Sequence, residues 1–412
     1  METVDAASLA GRVRQELSGR STYQSIQAQF SKKRSMRAQG AVTPLAALLA
    51  ERIRRCGPIT FAEYMDACLY HPQRGYYTKP NQLPGRDYFT NADAKPLFER
   101  LLARQLEEMW VALGRPDPFW LVEAGAASGV LAKAVLDFAG QAFPDFYAAL
   151  RYFTVEISQA RSEAQAALLD QHIRRGRFAS TAELPRDTGV GCVFSNELLD
   201  ALPVHRVVQE RGKLRELYVA NRGAEFCERP AGLSSPRIAA YFERQGVELR
   251  DGQQAEAGLA GCDWIRKAGE RLRRGFIMTI DYGREARELY DERHMRGTLL
   301  AYEGHRASEE FFRAPGDQDL TAHVNFTALD LWGRESSLVR TGLASQSNFL
   351  LALARKSNFV DIHREGATER EKSRQRLLFK TLINPEGMGE TFQVLIQHKG
   401  VETPVLTGLQ PL

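Results

Sequence analysis

The chain has 412 residues, long enough for two or three folded units or for one elaborated α/β domain. Its 55 basic and 51 acidic residues nearly balance, and the excess of Arg (44) over Lys (11) describes an ion-paired surface, which excludes the segregated base of a nucleic-acid binder. A hydrophobic share of 43% beside 26% charged residues excludes a disordered or fibrous chain, and the longest charge-free run, Thr341 to Ala354, falls short of the ~20 residues that span a bilayer.

The first 42 residues are polar, basic around Ser31–Arg37, and are expected to be a loosely held extension. They contain no apolar signal-peptide core, and Glu2, Asp5 and Glu16 depart from transit-peptide composition, so a cytoplasmic protein is expected. From Thr43 the text changes. Thr43 caps a helix with Pro44 in its first turn, and Leu45, Leu48, Leu49 and Ile53 recur at helical spacing until Gly57-Pro58 stops it. Thr60 caps a second helix carrying Phe61, Tyr64, Met65 and Leu69. The Pro- and Gly-rich stretch after it reads as a loop, expected to act as a lid over Tyr76–Thr90. Pro96 to Leu113 is a third helix. These elements define an N-terminal helical segment over 43–115.

From Phe119 strands and helices alternate. "FWLVEAG", "RYFTVEIS", "VGCVFSN" and "RGFIMTIDYG" are apolar runs ending in Glu123-Ala124-Gly125, Glu156, Asn196-Glu197 and Asp281, with helical stretches between the first three. This pattern predicts a parallel sheet with helices on both faces, and open sheets of that kind bind ligands at the carboxyl ends of their strands. An insertion over about 204–274 opens with a hairpin around Gly212 and closes with a helix. An irregular excursion over about 284–340 contains the strand "TLLAYEGH", and the tail holds the helix "SQSNFLLALARKS" and the strand "ETFQVLIQHKG". The five cysteines, Cys56, Cys68, Cys192, Cys227 and Cys262, are widely spaced with no C-x-x-C pair, so neither a disulfide framework nor a metal site is expected.

The most informative segment is "LVEAGAASGVL". A Gly-rich turn between strand and helix lets a ligand touch backbone at a helix N-terminus. Dinucleotide folds space their glycines G-x-G-x-x-G, whereas Gly125 and Gly129 follow Glu123 as G-x-x-x-G. That spacing suits S-adenosyl-L-methionine (SAM), which has no phosphate and wants close backbone approach and a carboxylate for its ribose. Glu156, at the end of the next strand, supplies the carboxylate. A nicotinamide-dependent oxidoreductase is disfavoured by the same spacing. A tight turn without a ligand and a merely solvated Glu156 are the plainer readings.

In order along the chain, "GPITFAEYMDACLYHPQRGYY", "DYFTNADAKPLF", "VEAGAASGVL", "SNELLDALPVHRVV", "IDYG" and "DLTAHVNF" resemble the MidA family of SAM-dependent methyltransferases, from about Thr43 to about Gly400. The resemblance implies a class I methyltransferase fold, Rossmann-like and doubly wound, with SAM as methyl donor and a protein as acceptor. Mitochondrial relatives assist respiratory complex I assembly by methylating an arginine. A complex I subunit is thus the implied partner, with the mitochondrial matrix as the location in a eukaryote. Two departures stand out: Ala127 occupies the middle position of the family's E-x-G-x-G-x-G, and "TNADAKP" replaces its "T-[SA]-P-E-x-S-Q". They leave open a second reading, a methyltransferase-fold assembly chaperone with little or no turnover.

The expected cofactor set is Glu123, Gly125, Ala127, Gly129, Glu156 and Asn196. Methyl transfer needs an acceptor held close and dry, and an arginine acceptor needs carboxylates that grip its fork. Glu197, Asp200 and Asp281, near the strand ends, are the catalytic candidates. Asp200 could instead cap the following segment, and Asp281 could be a turn residue before Gly283. His305, Asp319, Thr321, His323 and Asn325 form a second rank.

Overall fold

A computed structural model describes residues 43–79, 97–223, 225–304, 306–362 and 366–411. The extension 1–42, the lid loop beyond Lys79, the "TNADAKP" segment and His305 lie outside the described residues.

The main sheet is eight-stranded, and its path is formed by β1 (Phe119–Ala124), β2 (Leu150–Val155), β3 (Phe178–Thr181), β4 (Val190–Asn196), β5 (Arg274–Arg284), β6 (Val339–Ser345) and β7 (Phe392–Lys399). The order across it is β6-β7-β5-β4-β1-β2-β3. Strands β1 to β5 pair in parallel, and β7 runs antiparallel to both β5 and β6. This is the doubly wound sheet expected from the alternating pattern. The chain winds outward from β1 to β3 and returns to lay β4 on the other side of β1. Ligands bind above such a reversal, at the carboxyl ends of the strands.

The helices that pack on the sheets include α1 (Pro44–Cys56), α2 (Phe61–Tyr70), α3 (Leu97–Ala112), α4 (Val130–Ala142), α5 (Gln159–Leu168), α6 (Leu259–Arg271), α7 (Phe326–Gly333), α8 (Gln346–Lys356) and α9 (Glu369–Ile383). Successive strand residues point to opposite faces. Leu121, Phe194, Met278 and Ile396 therefore pack with α3, α4, α8 and α9, while Val122, Val193, Ile277 and Leu395 pack with α6 and α7. A third cluster joins Leu45, Leu49 and Ile53 of α1 and Phe61, Tyr64, Met65 and Leu69 of α2 to Ala201, Val204, Leu299, Ala301 and Leu320. That packing brings the N-terminal helices to the segment following β4. The caps are those the sequence predicts. Thr43 accepts the amide of Ala46 at 3.1 Å, and Thr60 forms a capping box with Glu63.

Between β4 and β5 lie strands His205–Glu210, Lys213–Arg222, Glu225–Ala231 and Gln254–Ala257, which with Ile59–Thr60 make a five-stranded antiparallel sheet. Leu300–Glu303, Arg306–Ser308 and Asp319–Thr321 make a three-stranded one. Elements absent from the sequence reading include β3, β6, α7 and α9. β3 is a four-residue edge strand reading "FAST". β6, "VRTGLAS", is also an edge strand, bulged between Arg340 and Gly342, and only Ser345 is fully buried. Neither presents an apolar alternation. β5 also runs three residues past Asp281, because β7 continues to pair with it to Tyr282 and Val324–Asn325 pairs with Gly283 and Arg284.

Candidate functional site

The turn after β1 curls through three left-handed positions, Gly125 (φ +74°), Ala127 (φ +45°) and Gly129 (φ +74°), before α4 begins. The glycines admit protein neighbours as well as backbone curvature. A Cβ on Gly125 would lie 2.9 Å from Leu198 Cδ1, and one on Gly129 would lie 2.7 Å from Gln165 Cγ. Gln165, fully buried on α5, ties the turn down: its Nε2 donates to the Ala127 carbonyl at 2.8 Å and its Oε1 accepts from the Thr154 hydroxyl at 2.7 Å. The sequence reading missed Gln165, since a polar residue on a polar helix carries no signal.

Glu156 lies one residue beyond β2 and is only 6% exposed. It accepts the Ser158 amide at 2.9 Å, and Arg161 Nη1 lies 4.0 Å away. Burial raises its pKa, while the backbone N–H groups of Ser158, Ala127 and Ile157 and the charge of Arg161 act against that. Beside it Ile157 is 60% exposed, an apolar surface at the rim of the cleft. An aimed carboxylate, an exposed aliphatic side chain and the N-terminus of α4 over a curled turn fit SAM, whose ribose hydroxyls donate and whose purine is apolar on its faces.

Glu123 faces inward. Tyr152 donates to its Oε2 at 2.7 Å, and burial, with the Glu156 charge adding to it, pushes its carboxyl to about 8 against the pull of the Tyr152 hydroxyl. Glu123 is therefore mostly protonated at pH 7. A cationic ligand favours the ionised form, so SAM binding at pH 7 should release close to one proton, fading above about pH 9. Calorimetry in buffers of different ionisation enthalpy checks this. Proton uptake would place Glu123 away from the ligand's charges.

On the other side of the reversal, β4 ends at Asn196, whose Nδ2 donates to Glu197 Oε1 at 3.0 Å. Glu197 sits at φ +54°, with its amide on the Ile280 carbonyl at 3.0 Å. The chain then turns through Leu198, Leu199 and Asp200, and all three amides point at Asp281 Oδ2, at 3.2, 2.8 and 3.4 Å. Its Oδ1 accepts the Tyr282 amide at 2.9 Å. This corrects the expectation for Asp281. It is fully buried and occupied by backbone, so it shapes the turn that carries Glu197 and Asp200 and does not present itself to an acceptor. It is also no strand-end residue, as β5 runs through it.

Asp200 is 2% exposed, and its Oδ1 has no hydrogen-bond partner among the described residues. Burial, then the charges of Asp281, Asp319 and Glu197, hold its carboxyl well above the usual range. Burial pushes Asp281 up as well, to about 7, but four backbone amides work against that rise and Asp200 lacks such a set, so in this pair the proton goes first to Asp200. Asp319 joins the cluster from the three-stranded sheet, with the Tyr77 hydroxyl 2.8 Å from both its oxygens. Tyr70, Tyr77 and Tyr282 line the same region and were not anticipated; in the sequence they read as apolar stripe or loop residues.

The remaining second-rank residues turn away. Asn325 caps α7 and donates to Tyr241, Gln245 and Tyr290. His323 is half-buried, its enclosed Nδ1 lacking a partner among the described residues, and the loss of solvent lowers its pKa to about 4, so it is neutral. Thr321 belongs to the strand. No cluster of three or more metal-ligating side chains occurs among the described residues.

Comparison with known proteins decides the family. Residues 101–344, more than half the chain, match the family described as S-adenosyl-L-methionine-dependent methyltransferases. The chain belongs to the MidA family of SAM-dependent methyltransferases. It is 27% identical over 394 residues to the mouse protein arginine methyltransferase NDUFAF7, mitochondrial, covering 87% of this chain and 85% of that one. The zebrafish protein of the same name is 28% identical, with 84% of each chain covered. A COG1565 superfamily member from Burkholderia thailandensis, solved with S-adenosyl-homocysteine bound, superposes with a TM-score of 0.78 at 27% identity, over 90% of this chain and 97% of that chain. The fold is accordingly that of a class I methyltransferase, and SAM is the cofactor.

Within the family's glycine motif, Ala127 is the position to test. An L-residue in the left-handed region is strained by about 1 kcal/mol, and replacing it by glycine gives back ~0.4–1 kcal/mol to the unfolded chain. Ala127→Gly should leave the melting temperature within a few degrees of wild type. Affinity for S-adenosylhomocysteine should rise, because the ligand's path over the turn no longer meets a Cβ. A fall in affinity by calorimetry would make the methyl part of the cradle.

Proposed function

We propose that this methyltransferase acts on an arginine of a partner protein, with Glu197 and Asp200 holding the guanidinium. The observation that carries the reading is the group formed by half-buried Glu197 with the buried Asp200 and Asp319 beside the cofactor cleft, in which Asp200 Oδ1 has no hydrogen-bond partner among the described residues. Buried carboxylates call for a cation, and a guanidinium satisfies two at once through its planar fork. The relatives named protein arginine methyltransferases support the same acceptor.

SAM, held by the turn from Gly125 to Gly129, by Glu156 and by Asn196, supplies an electrophilic methyl on a sulfonium. Glu197 and Asp200 orient one guanidinium nitrogen; as its bond to the methyl carbon forms, the carbon–sulfur bond breaks with its electron pair left on sulfur, S-adenosylhomocysteine is the leaving group, and one of the two carboxylates takes the proton that the nitrogen sheds. The incoming cation draws Asp200 toward its ionised form, so the acid that is neutral without an acceptor becomes the base when one arrives. Asp281 keeps both side chains in register.

The test is transfer of labelled methyl from SAM into a complex I subunit, or into lysate of an organism lacking that complex, followed by hydrolysis and identification of the labelled amino acid. Label on arginine supports the proposal; label on lysine or a carboxylate overturns the acceptor. SAM binding without any label favours the chaperone reading, the one that Ala127 at a glycine position favours.

A further inference from the structure

Two tyrosines stand between the cofactor side and the acceptor side. Tyr70 ends α2, Tyr77 follows in the next loop, and their rings stack with centroids 5.7 Å apart. The Tyr70 hydroxyl donates to the Ala201 carbonyl at 3.1 Å, and the negative charges acting on it come from Asp319, Asp200, Asp66 and Glu156, acids of both sides. Tyr77 is placed more pointedly. Its hydroxyl lies 2.8 Å from both oxygens of the fully buried Asp319, and the Arg161 guanidinium lies over its ring, 5.9 Å from the centroid. Arg161 is the cation 4.0 Å from Glu156. Glu156, Arg161, Tyr77 and Asp319 thus form a continuous chain from the ribose-facing acid to the acceptor-facing one.

We propose that Tyr77 is a positioning residue that couples cofactor binding to acceptor binding, its ring carrying Arg161 and its hydroxyl holding Asp319. The proposal rests on the arginine reading above. Coupling requires that each ligand favour one arrangement of a shared element. The shared element is the loop His71–Lys79, pinned to α2 by the Tyr76 and Tyr77 amides on the Cys68 and Leu69 carbonyls. A ligand on Glu156 restrains Arg161, Arg161 restrains the Tyr77 ring, and the hydroxyl then holds Asp319 in place before an acceptor arrives. Ordering already done by the first ligand is not repeated by the second. The effect must be reciprocal.

Calorimetry on the full chain with N-acetyl-arginine amide, with and without saturating S-adenosylhomocysteine, measures the coupling. In wild type each ligand should raise affinity for the other by the same factor, about fivefold or more. Tyr77→Phe keeps the ring and removes the hydroxyl. Its factor should fall to about one while its affinity for S-adenosylhomocysteine alone stays near wild type. Arg161→Gln, on the partly exposed surface of α5, should abolish the factor too, with the Asp319 contact intact. A purely structural role for Tyr77 would lower the melting temperature and leave the factor unchanged; an unchanged factor in Tyr77→Phe overturns the proposal. Wild-type protein that binds the arginine amide with a factor of one sinks the coupling and spares the arginine reading. Wild-type protein that binds S-adenosylhomocysteine but no arginine amide removes both.

Discussion

Glu197→Gln should leave S-adenosylhomocysteine binding nearly unchanged and lower methyl transfer by roughly a hundredfold or more, the scale set by truncating one partner of a buried charge pair. The substitution preserves shape, and it preserves an oxygen for the Asn196 side chain, now 3.0 Å from Oε1. It removes the charge that, under the proposed function, would face a guanidinium. Because the lost contact is made to the acceptor, the change should appear in transfer and in acceptor affinity and not in cofactor affinity. Asp200→Asn should follow the same pattern, with its loss relative to wild type greatest at high pH, where the wild-type carboxyl is ionised, and shrinking as pH falls and wild-type Asp200 is itself protonated. Single-turnover transfer at several pH values, alongside calorimetry with S-adenosylhomocysteine, separates these effects. Full activity in Glu197→Gln would remove its role and leave the methyltransferase intact.

Asp281→Ala should be the most destabilising single change at the site. It strips a fully buried carboxylate from the three amides of Leu198, Leu199 and Asp200, and from that of Tyr282. Each buried N–H left without a partner costs about 1–3 kcal/mol. Relaxation of the turn recovers part of that, leaving a loss of about 3–5 kcal/mol, typical of a broken buried network. Asp281→Asn, with one remaining acceptor oxygen, should fall between. Denaturant titrations of the three proteins give the ranking. An Asp281→Ala protein as stable as wild type but unable to transfer methyl would return Asp281 to the acceptor-holding role expected from sequence.

The legible parts of this molecule are local. A strand ending in Glu123, then Gly125 and Gly129, then a helix, can be read from a dozen consecutive residues, and the next strand's Glu156 follows by the same rule. Asp281 was legible as a site residue but not in its role, because the amides it binds lie some eighty positions earlier in the chain. Asp319, legible only as one of several second-rank polar residues, sits in a stretch with no periodicity, and what singles it out is a hydroxyl 242 positions away. Tyr70 and Tyr77 were invisible for a different reason: an aromatic side chain in an amphipathic segment has the pattern of core, and only packing tells which one has a polar tip at work. β3 and β6 escaped because edge strands need no apolar alternation.

The antiparallel strand β7 has a consequence for how the protein is made. It lies between β5 and β6 and pairs with β5 from Gly275 to Tyr282, yet it follows every other strand of the sheet in the chain and leaves the ribosome after them. Until it arrives, β5 has one open edge next to Asp281, and the turn bearing Glu197 and Asp200 leans on an unfinished strand. Chains fold from the amino end during synthesis, so most of the cofactor cleft around β1 and β2 can form while the acceptor side waits. A nascent chain would then hold its methyl donor before it could use it, and transfer would begin only once β7 has emerged and paired with β5.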